Sequence, residues 1–351
     1  MNDFFSPWEG KPVKCWRDLQ NAVDNIVKKS GGRALVWRGQ VNADWNLHSS
    51  LYRTLKEIRE GGRGKKRKKV VDVTEQDLLE FEKRIVDYAR KYWRVSDITY
   101  LQLLAQLQHY GAPTRLIDVS LNPYVAVWMA VERQGGVLDD EDGRLFAFVV
   151  SDGSISDARD NPLPMDRVLS TYECPWSFDT VKGSHGKSSE SSGAKSKYSE
   201  IEARKWVRER WCTGTWFWRP SAYNERISAQ YSGFLLGGVP NMYPSVQSYY
   251  RKEPGEGKER WSIKEVREST SISLRLVGRK TALRSIESAA RGRAVYAIRI
   301  DAKAKKEIRD NLERTFSVNS STVYPDIPGL ASEIKKALER KDSNLIGLHT
   351  I

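Results

Sequence analysis

The chain has 351 residues and carries 58 Lys and Arg against 45 Asp and Glu, a formal net charge of +13. A chain of this length can bury a large core and form one elaborated domain or two modest ones. A basic exterior attracts phosphates, so the charge favours nucleic acid as a partner, although a basic protein without a polyanionic partner has the same composition.

The cysteines and the hydropathy pattern argue against metal-binding, secreted and membrane proteins. Cys15, Cys174 and Cys212 lack the spacing of metal ligands, and the chain has only 4 histidines. We therefore expect reduced thiols and no metal site. No basic segment followed by an apolar run opens the chain, and no stretch approaches the roughly 18 apolar residues of a membrane span. These features predict a cytoplasmic protein that does not contact membranes.

The first elements in chain order are a helical lead-in over residues 1–32 and a β-strand over residues 33–38, whose alternation places Arg38 at the strand end. A run rich in charge and glycine follows, and it predicts a mobile loop that is either solvated or in contact with phosphate. The basic residues that we expect to bind nucleic acid there are Lys65, Lys66, Arg67, Lys68 and Lys69.

Two helices come next. Thr74 opens a capping pattern, and apolar residues from Leu78 to Tyr92 recur at helical spacing. The second helix runs from Tyr100 to Gln108 and ends before Gly111.

The segment from Leu107 to Ser120 crowds His, Tyr, Thr, Arg, Asp and Ser into a turn and a short strand, a composition more typical of a site than of a scaffold. Asn122 and Pro123 then suit the N-cap and the first position of a helix that is almost wholly apolar up to Val131. This helix is predicted to be buried.

The second half of the chain predicts further core strands and a flexible insertion. Strands are expected at 143–150, 230–238 and 294–300, and a helix at 332–340, with a tail over 336–351. The Ser- and Gly-rich stretch within residues 182–218 predicts the insertion. It ends in a block of Trp and Arg that suits base stacking and phosphate binding at Arg208, Arg210 and Trp216, or an aromatic core with an Arg-rich rim.

Several motifs together resemble the FRG-domain family. They are Trp37–Gln40, Trp45–Arg53, the string from Leu107 to Asp118, and the later segments Gln230–Phe234 and Val323–Leu330. The resemblance runs in order from residue 33 to residue 335, with the insertion unmatched, and it makes 33–335 the expected main domain. FRG domains in turn resemble the ADP-ribosyltransferase fold. The resemblance therefore implies an α/β (α+β) protein with a split mixed β-sheet, flanking helices and a flexible basic insertion.

The resemblance also implies an activity. The related fold cleaves NAD at the nicotinamide glycosidic bond and passes ADP-ribose to an acceptor. Family members occur among toxins of bacterial toxin–antitoxin and phage-defence systems. We therefore expect an NAD-dependent toxin that modifies nucleic acid, above all RNA (mRNA), and that an antitoxin protein neutralises, with or without a chaperone. The alternatives are a nucleotide- or nucleic-acid-binding sensor module without turnover, and a toxin that cleaves RNA through His109 and His48.

The chemistry of NAD cleavage assigns expected roles to particular side chains. Arg38 matches the Arg that ends the first strand of that fold and can hold a phosphate or a ribose, or pair with a structural carboxylate. His109 suits ribose binding or general base catalysis. Arg115 and Asp118 should point to opposite faces of an extended segment, so one of them is expected to be structural. We assign Asp118 to organising Arg38 or His109, and Arg115 to reaching phosphate or fixing the strand.

The expected catalytic glutamate is missing, because Gln230 occupies its place, and the nearest carboxylates in sequence terms are Glu225 and Asp118. The residues predicted to act in catalysis are Arg38, His109, Asp118 and Gln230. Those predicted to bind the cofactor are Arg38, Gly39, Gln40, Tyr52, Tyr110, Gly111, Thr114, Arg115 and Ser120.

Overall fold

The structure is a computed structural model that describes residues 4–61, 72–95, 97–133, 138–150, 174–176, 211–212, 214–220, 229–243, 250, 260–274 and 295–339. The predictions for Lys65–Lys69, Arg208, Arg210 and Glu225 lie outside these residues.

Within the described residues the secondary structure alternates helices and strands. The helices are α1 (Ser6–Glu9), α2 (Trp16–Ser30), α3 (Ser50–Arg59), α4 (Glu75–Trp93), α5 (Tyr100–His109), α6 (Pro123–Val131), α7 (Ile263–Ser269), α8 (Lys305–Phe316), α9 (Ser320–Val323) and α10 (Ile327–Glu339). The strands are β1 (Ala34–Gln40), β2 (Ile117–Ser120), β3 (Gly143–Val150), β4 (Trp216–Trp218), β5 (Ser232–Leu236) and β6 (Val295–Ile300).

The strands form one sheet in the order β4-β5-β2-β1-β3-β6, and every strand pairing is antiparallel. The α/β class is therefore confirmed, whereas the expectation of a mixed sheet is wrong for these strands. β1 pairs with β3 along its whole length, from Ala34 to Gln40. It meets β2 at a single position, Trp37 opposite Ser120. The two central strands therefore separate beyond that point, and a gap opens in the middle of the sheet.

Helix α6 covers the face of the sheet that carries Trp37, together with α2 and α8. Its backbone comes so close to β1 that a β-carbon on Gly39 would lie 1.9 Å from the carbonyl oxygen of Ala126. The predicted burial of this apolar helix is confirmed, and Asn122 caps it by accepting a hydrogen bond from the backbone N–H of Tyr124 (2.9 Å). The opposite face of the sheet packs against the N-terminal Phe4 and Phe5 and against α7.

Helices α4 and α5 pack against the β4–β5 end of the sheet. The predicted capping pattern at Thr74 is confirmed, since its side chain and that of Asp77 form a reciprocal capping box. Tyr92, which the spacing placed on the apolar face, is instead 63% exposed. The cause is its position in the last turn of α4, beyond the part of the helix that the sheet covers.

The last helix begins earlier than its apolar spacing predicts, at Ile327, because Asp326 caps it. The Asp326 carboxylate accepts a hydrogen bond from the backbone N–H of Gly329 (2.7 Å). The helix continues to Glu339, so the predicted tail from residue 336 starts inside it.

A buried ion network around Arg115 joins α4 to the segment that enters β2. The Arg115 side chain is 1% exposed, its Nε lies 2.7 Å from both carboxylate oxygens of Glu82, and its Nη1 lies 2.9 Å from Glu75. Burial alone would lower the pKa of the guanidinium, but the charges of Glu75 and Glu82 outweigh burial and raise it. The stacked rings of Trp176 and Trp211 cover the guanidinium at 4.9 and 5.3 Å. The network therefore ties the segments around Trp176 and Trp211 to the core.

His48 and Tyr52 form a second buried contact, between α3 and α7. The His48 side chain is 4% exposed, and its Nε2 lies 2.9 Å from the carbonyl oxygen of Arg267, to which the Tyr52 hydroxyl also donates (3.2 Å). Burial lowers the pKa of His48 to about 3. His48 is therefore neutral and structural in the folded protein.

Of the described helices, none is long and apolar enough to cross a membrane.

Removing one partner from the Arg115 network should be strongly destabilising. We expect Glu82→Ala to lower the free energy of unfolding by about 3–5 kcal/mol, because the buried guanidinium loses its best carboxylate. The matched control is Glu80→Ala on the same helix, whose pair with Arg84 is exposed and should contribute less than about 1 kcal/mol. Denaturant unfolding measures both variants. Equal unfolding midpoints would contradict a structural role for the network.

The stability of the protein should fall in acid through His48. The folded pKa of about 3 lies below the ordinary value of 6.5, so the unfolded chain binds the proton more tightly. This contribution is intact above pH 6.5, and it decreases as the pH falls from there towards 3. We expect His48→Gln to flatten the pH dependence of the free energy of unfolding in this window. The same slope in the variant and the wild type would assign the acid sensitivity to other groups.

Candidate functional site

A pocket of about 290 Å³ opens where β1 and β2 separate, between α5 and α6. Four stretches of the chain that are distant in sequence meet there. The polar side chains that line the pocket are Arg38, Gln40, Gln108, His109, Asp118, Glu132, Gln230 and Ser232, and the apolar lining includes Trp45, Ala105, Met129 and Phe234. All four residues that were predicted to be catalytic are among these side chains.

Arg38 bridges the gap between the two central strands. Its Nη1 donates to the backbone carbonyl of Asp118 (2.8 Å), on a strand that no longer pairs with β1 at this level. Within the described residues, its Nε is buried without a hydrogen-bond partner, and no carboxylate forms an ion pair with the guanidinium. Burial lowers the pKa of the guanidinium, a shift that Asp118 opposes and Arg53 reinforces. Arginine nevertheless stays charged at neutral pH, so the pocket contains a desolvated cation with an unused donor.

Asp118 is held by the end of α5. Its Oδ1 accepts a hydrogen bond from the side-chain amide of Gln108 (2.8 Å), whose oxygen accepts from the Thr114 hydroxyl. These two hydrogen bonds fix the orientation of the Gln108 side-chain amide. Asp118 therefore hydrogen-bonds to Arg38 through its backbone oxygen, while its carboxylate, exposed towards the pocket, acts on the guanidinium through its charge.

His109 ends α5 and lies beneath the N-terminus of α10. Its Nε2 is 3.6 Å from Oδ2 of Asp326, and its side chain is 10% exposed. The second oxygen of Asp326 caps α10, so one carboxylate connects that helix to the pocket. Of the two roles predicted for Asp118, the structure shows the contact with Arg38, whereas the carboxylate next to His109 is that of Asp326.

Gln230 is locked in place. Its side-chain nitrogen donates to the carbonyl of Val323 (3.1 Å), and its side-chain oxygen accepts from the Ser232 hydroxyl (3.0 Å). The side chain is 7% exposed. A neutral amide with both ends engaged can shape the pocket but cannot supply negative charge.

Glu132 is the site residue that sequence reasoning missed. It follows the last residue of α6, is 7% exposed and lines the pocket. Its Oε2 accepts from the Tyr324 hydroxyl (3.2 Å) and lies 3.8 Å from Nζ of Lys336 on α10. Its position in the sequence could have identified it, because a carboxylate that directly follows a buried apolar helix has to lie at the edge of the core. Tyr324 and Asp326 lay in a recognised motif without an assigned role.

Gln40 provides a second unused polar atom. Its side chain is 5% exposed, and its nitrogen donates to the carbonyl of Asn46 (3.1 Å). Its Oε1 is buried and has no partner within the described residues. The ring of Trp45, 44% exposed, stands at the same wall. The pocket therefore presents an orphan donor, an orphan acceptor and an exposed aromatic face.

Several residues predicted to bind the cofactor lie outside the pocket lining. Arg115, Tyr52, Thr114 and Ser120 are each at most 2% exposed and have internal partners, so burial removes them from contact with a ligand. Arg115 takes the second of its two predicted roles, fixing the strand. Tyr110 is 79% exposed, and its ring packs edge-on against that of His109, with the ring centroids 4.8 Å apart. Gly111 forms the left-handed turn after α5 at φ 90°.

Gly39 lines the pocket, and its close contact with α6 also requires a glycine there. Trp216 lies in β4, is partly buried and packs against the α4–α5 core, as the alternative prediction of an aromatic core has it. Trp211 and Trp218 are buried as well. The described part of the Trp/Arg block is thus an aromatic core.

The arrangement can bind an anion next to a polyol. The Arg38 guanidinium suits a phosphate oxygen or a ribose hydroxyl, and the carboxylates of Asp118 and Glu132 can accept from hydroxyl groups or stabilise a nearby positive charge. The amides of Gln40 and Gln108 add neutral acceptors and donors.

The family comparison covers the first half of this site. The model of the FRG domain family matches residues 33–136, from the start of β1 to just beyond Glu132, which is less than half of the chain. No curated protein and no solved structure matches the chain. The matched segment contributes Arg38, Gln40, His109, Asp118 and Glu132, while Gln230 and Tyr324 lie outside it.

Proposed function

We propose that this pocket binds NAD and that the protein transfers ADP-ribose from it to a nucleic acid. The observation that carries the proposal is the pair of unused buried polar atoms, Nε of Arg38 and Oε1 of Gln40, two residues apart on β1 and so on one face of that strand. Buried polar groups in proteins are almost always hydrogen-bonded, and the exceptions call for a ligand or another explanation.

The size and donor set of the pocket fit one end of a dinucleotide. Sites for small molecules usually measure about 300–1,000 Å³, so a volume of about 290 Å³ accommodates a ribose and its neighbouring groups while the rest of the ligand lies outside. The planar guanidinium of Arg38 supplies several N–H donors for a phosphate or ribose oxygen. The exposed ring of Trp45 supplies a face for a flat heterocycle.

NAD would supply an activated glycosidic bond between the ribose carbon and the pyridinium nitrogen. That bond breaks with its electron pair going to nicotinamide, a bond forms from the same carbon to an acceptor oxygen or nitrogen, and the acceptor proton is released. The protein groups have to hold the ribose, stabilise positive charge at its carbon and take up the proton. Asp118 and Glu132 can stabilise the charge, and His109, oriented by Asp326, can take the proton.

Glu132 supplies the negative charge that Gln230 cannot, and so answers the main chemical objection to ADP-ribose transfer. Gln230 stands where a glutamate is expected, and its amide is locked. Glu132, which follows α6, brings a buried carboxylate into the same pocket, and this carboxylate accepts a hydrogen bond from Tyr324. The negative charge that transfer needs therefore comes from Glu132 at the end of α6, and not from a glutamate at the position of Gln230.

The net charge suggests the acceptor of ADP-ribose, and the resemblance to the FRG-domain family suggests the partner protein. A net charge of +13 favours a polyanionic acceptor, for which RNA is the leading candidate. Neutralisation by an antitoxin protein, a role in phage defence and a cytoplasmic location stay predictions.

A second candidate function is nucleotide binding without turnover. The locked amide of Gln230 favours it, because a pocket that only binds needs hydrogen bonds but no charge. RNA cleavage by a pair of histidines is disfavoured, since His48 is buried against Arg267 and does not line the pocket.

Loss of the Arg38 guanidinium should strongly reduce transfer while leaving the fold intact. Purified protein is incubated with labelled NAD and with RNA, DNA or lysate. We expect Arg38→Ala to reduce label transfer by about a hundred-fold, the usual effect of removing one preorganised donor. Arg38→Lys should recover part of the activity, because it keeps the charge but loses the planar guanidinium.

The matched control for Arg38 is Arg314→Ala, an exposed arginine on α8. NAD that stays intact with the wild-type protein and every acceptor would reject the transferase. Calorimetric binding of NAD or ADP-ribose by that same inactive protein would favour the binding module.

The charge of Glu132 should matter more than its hydrogen bond. Glu132→Gln keeps the shape and the acceptor for Tyr324, so we expect kcat to fall by about a hundred-fold with KM little changed. Tyr324→Phe should have a smaller effect, and Glu313→Gln, on the exposed surface of α8, none. Wild-type kcat in Glu132→Gln would leave Asp118 as the acting carboxylate.

A further inference from the structure

The C-terminal half of α4 exposes an aromatic cluster that the pocket does not use. Tyr88, Tyr92 and Trp93 are 58, 63 and 72% exposed. The rings of Tyr88 and Tyr92 are 5.0 Å apart, and Trp93 and Tyr88 border a groove between α4 and α5. Ile85, Ala89, Leu103 and Leu107 form the apolar floor of the groove. Three large aromatic side chains exposed together on a soluble protein usually mark a binding surface.

The same half of the helix is strongly basic. Residues 83–94 contain the basic side chains Lys83, Arg84, Arg90, Lys91 and Arg94, and Asp87 is the one acidic residue among them. Within the described residues, Arg90, Lys91 and Arg94 form no ion pair with a carboxylate. Nζ of Lys91 lies 5.1 Å from the centre of the Tyr92 ring. Cations therefore alternate with aromatic faces along this surface.

The groove and the pocket lie on two sides of one helix. Leu103 and Leu107 of α5 line the groove, whereas Ala105, Gln108 and His109 line the pocket. A helix is about 10 Å across with its side chains, so a polymer on the groove reaches the pocket within a short length.

We propose that the α4 surface binds an unpaired stretch of the acceptor nucleic acid and holds it next to the pocket. Stacking on aromatic rings needs exposed base faces, which single strands offer and duplexes do not, and the neighbouring Lys and Arg suit the phosphates. An acidic amphipathic helix would match the charge too, but the exposed rings and cations alternate along α4 as the bases and phosphates of a single strand do. This inference rests on the proposed function, because it names the acceptor class of the same site.

The test measures binding of labelled oligoribonucleotide to the full-length protein by fluorescence anisotropy, without NAD. The probes are a single strand and the corresponding duplex. Base stacking on an aromatic side chain is worth about 1–3 kcal/mol, so we expect Trp93→Ala to weaken single-strand binding by about five-fold to a hundred-fold. Trp93→Phe should retain most of the affinity, and duplex binding should not depend on Trp93.

A charge-matched pair tests the basic part of the surface. Lys91→Ala should weaken binding and lower the salt dependence by about one counterion, whereas Lys28→Ala, an exposed lysine at the end of α2, should do neither. Because Trp93 is 72% exposed, its truncation should not alter the circular dichroism spectrum or the melting temperature.

The outcomes separate this inference from the proposed function. Unchanged single-strand affinity in Trp93→Ala, or no RNA binding by the wild type, overturns the α4 surface even if label is transferred from NAD. Loss of affinity in Trp93→Ala together with no NAD consumption by the wild type upholds the surface and rejects the transferase. Arg314→Ala, on the exposed surface of α8, should bind the oligonucleotide like the wild type.

Discussion

The buried Arg115 guanidinium is the interaction on which the site depends. It lies between the carboxylates of Glu82 and Glu75 and beneath two tryptophan rings, so it fixes the chain where it enters β2 against α4. The cost of burying these charges is met only when every partner is in place. Because the register of β2 is thereby set, Asp118, three residues later, faces the pocket while the side chains on either side of it are buried.

The second constraint is the separation of the two central strands. β1 and β2 pair at one position only, and the Arg38 side chain bridges the gap to the carbonyl of Asp118. The close contact of Gly39 with α6 holds β1 on its other side. A gap in a sheet exposes backbone and side-chain polar groups that regular pairing would bury, and this is why a polar pocket forms at the centre of an otherwise apolar core.

The C-terminal segment completes the pocket from outside. Val323, Tyr324 and Asp326 contact Gln230, Glu132 and His109, which come from three different elements. The same segment starts α10 through the cap at Asp326. Formation of that helix is therefore coupled to the positions of the imidazole and of the buried carboxylate, on which the proposed transfer chemistry relies.

The sequence by itself determined the strands near 143–150 and 294–300, the capped helices α4 and α6, and Arg38, His109 and Asp118 as members of one candidate site, because periodicity, caps and local motifs are short-range signals. The sequence motifs also identified the resemblance to the FRG domain, whose family model matches the segment from β1 to α6. Only the tertiary structure decided that Arg115 is a core ion, that His48 and Tyr52 are structural, and that Glu132 supplies the second carboxylate. Those roles depend on burial and on partners between 33 and 219 residues away, which no local pattern contains.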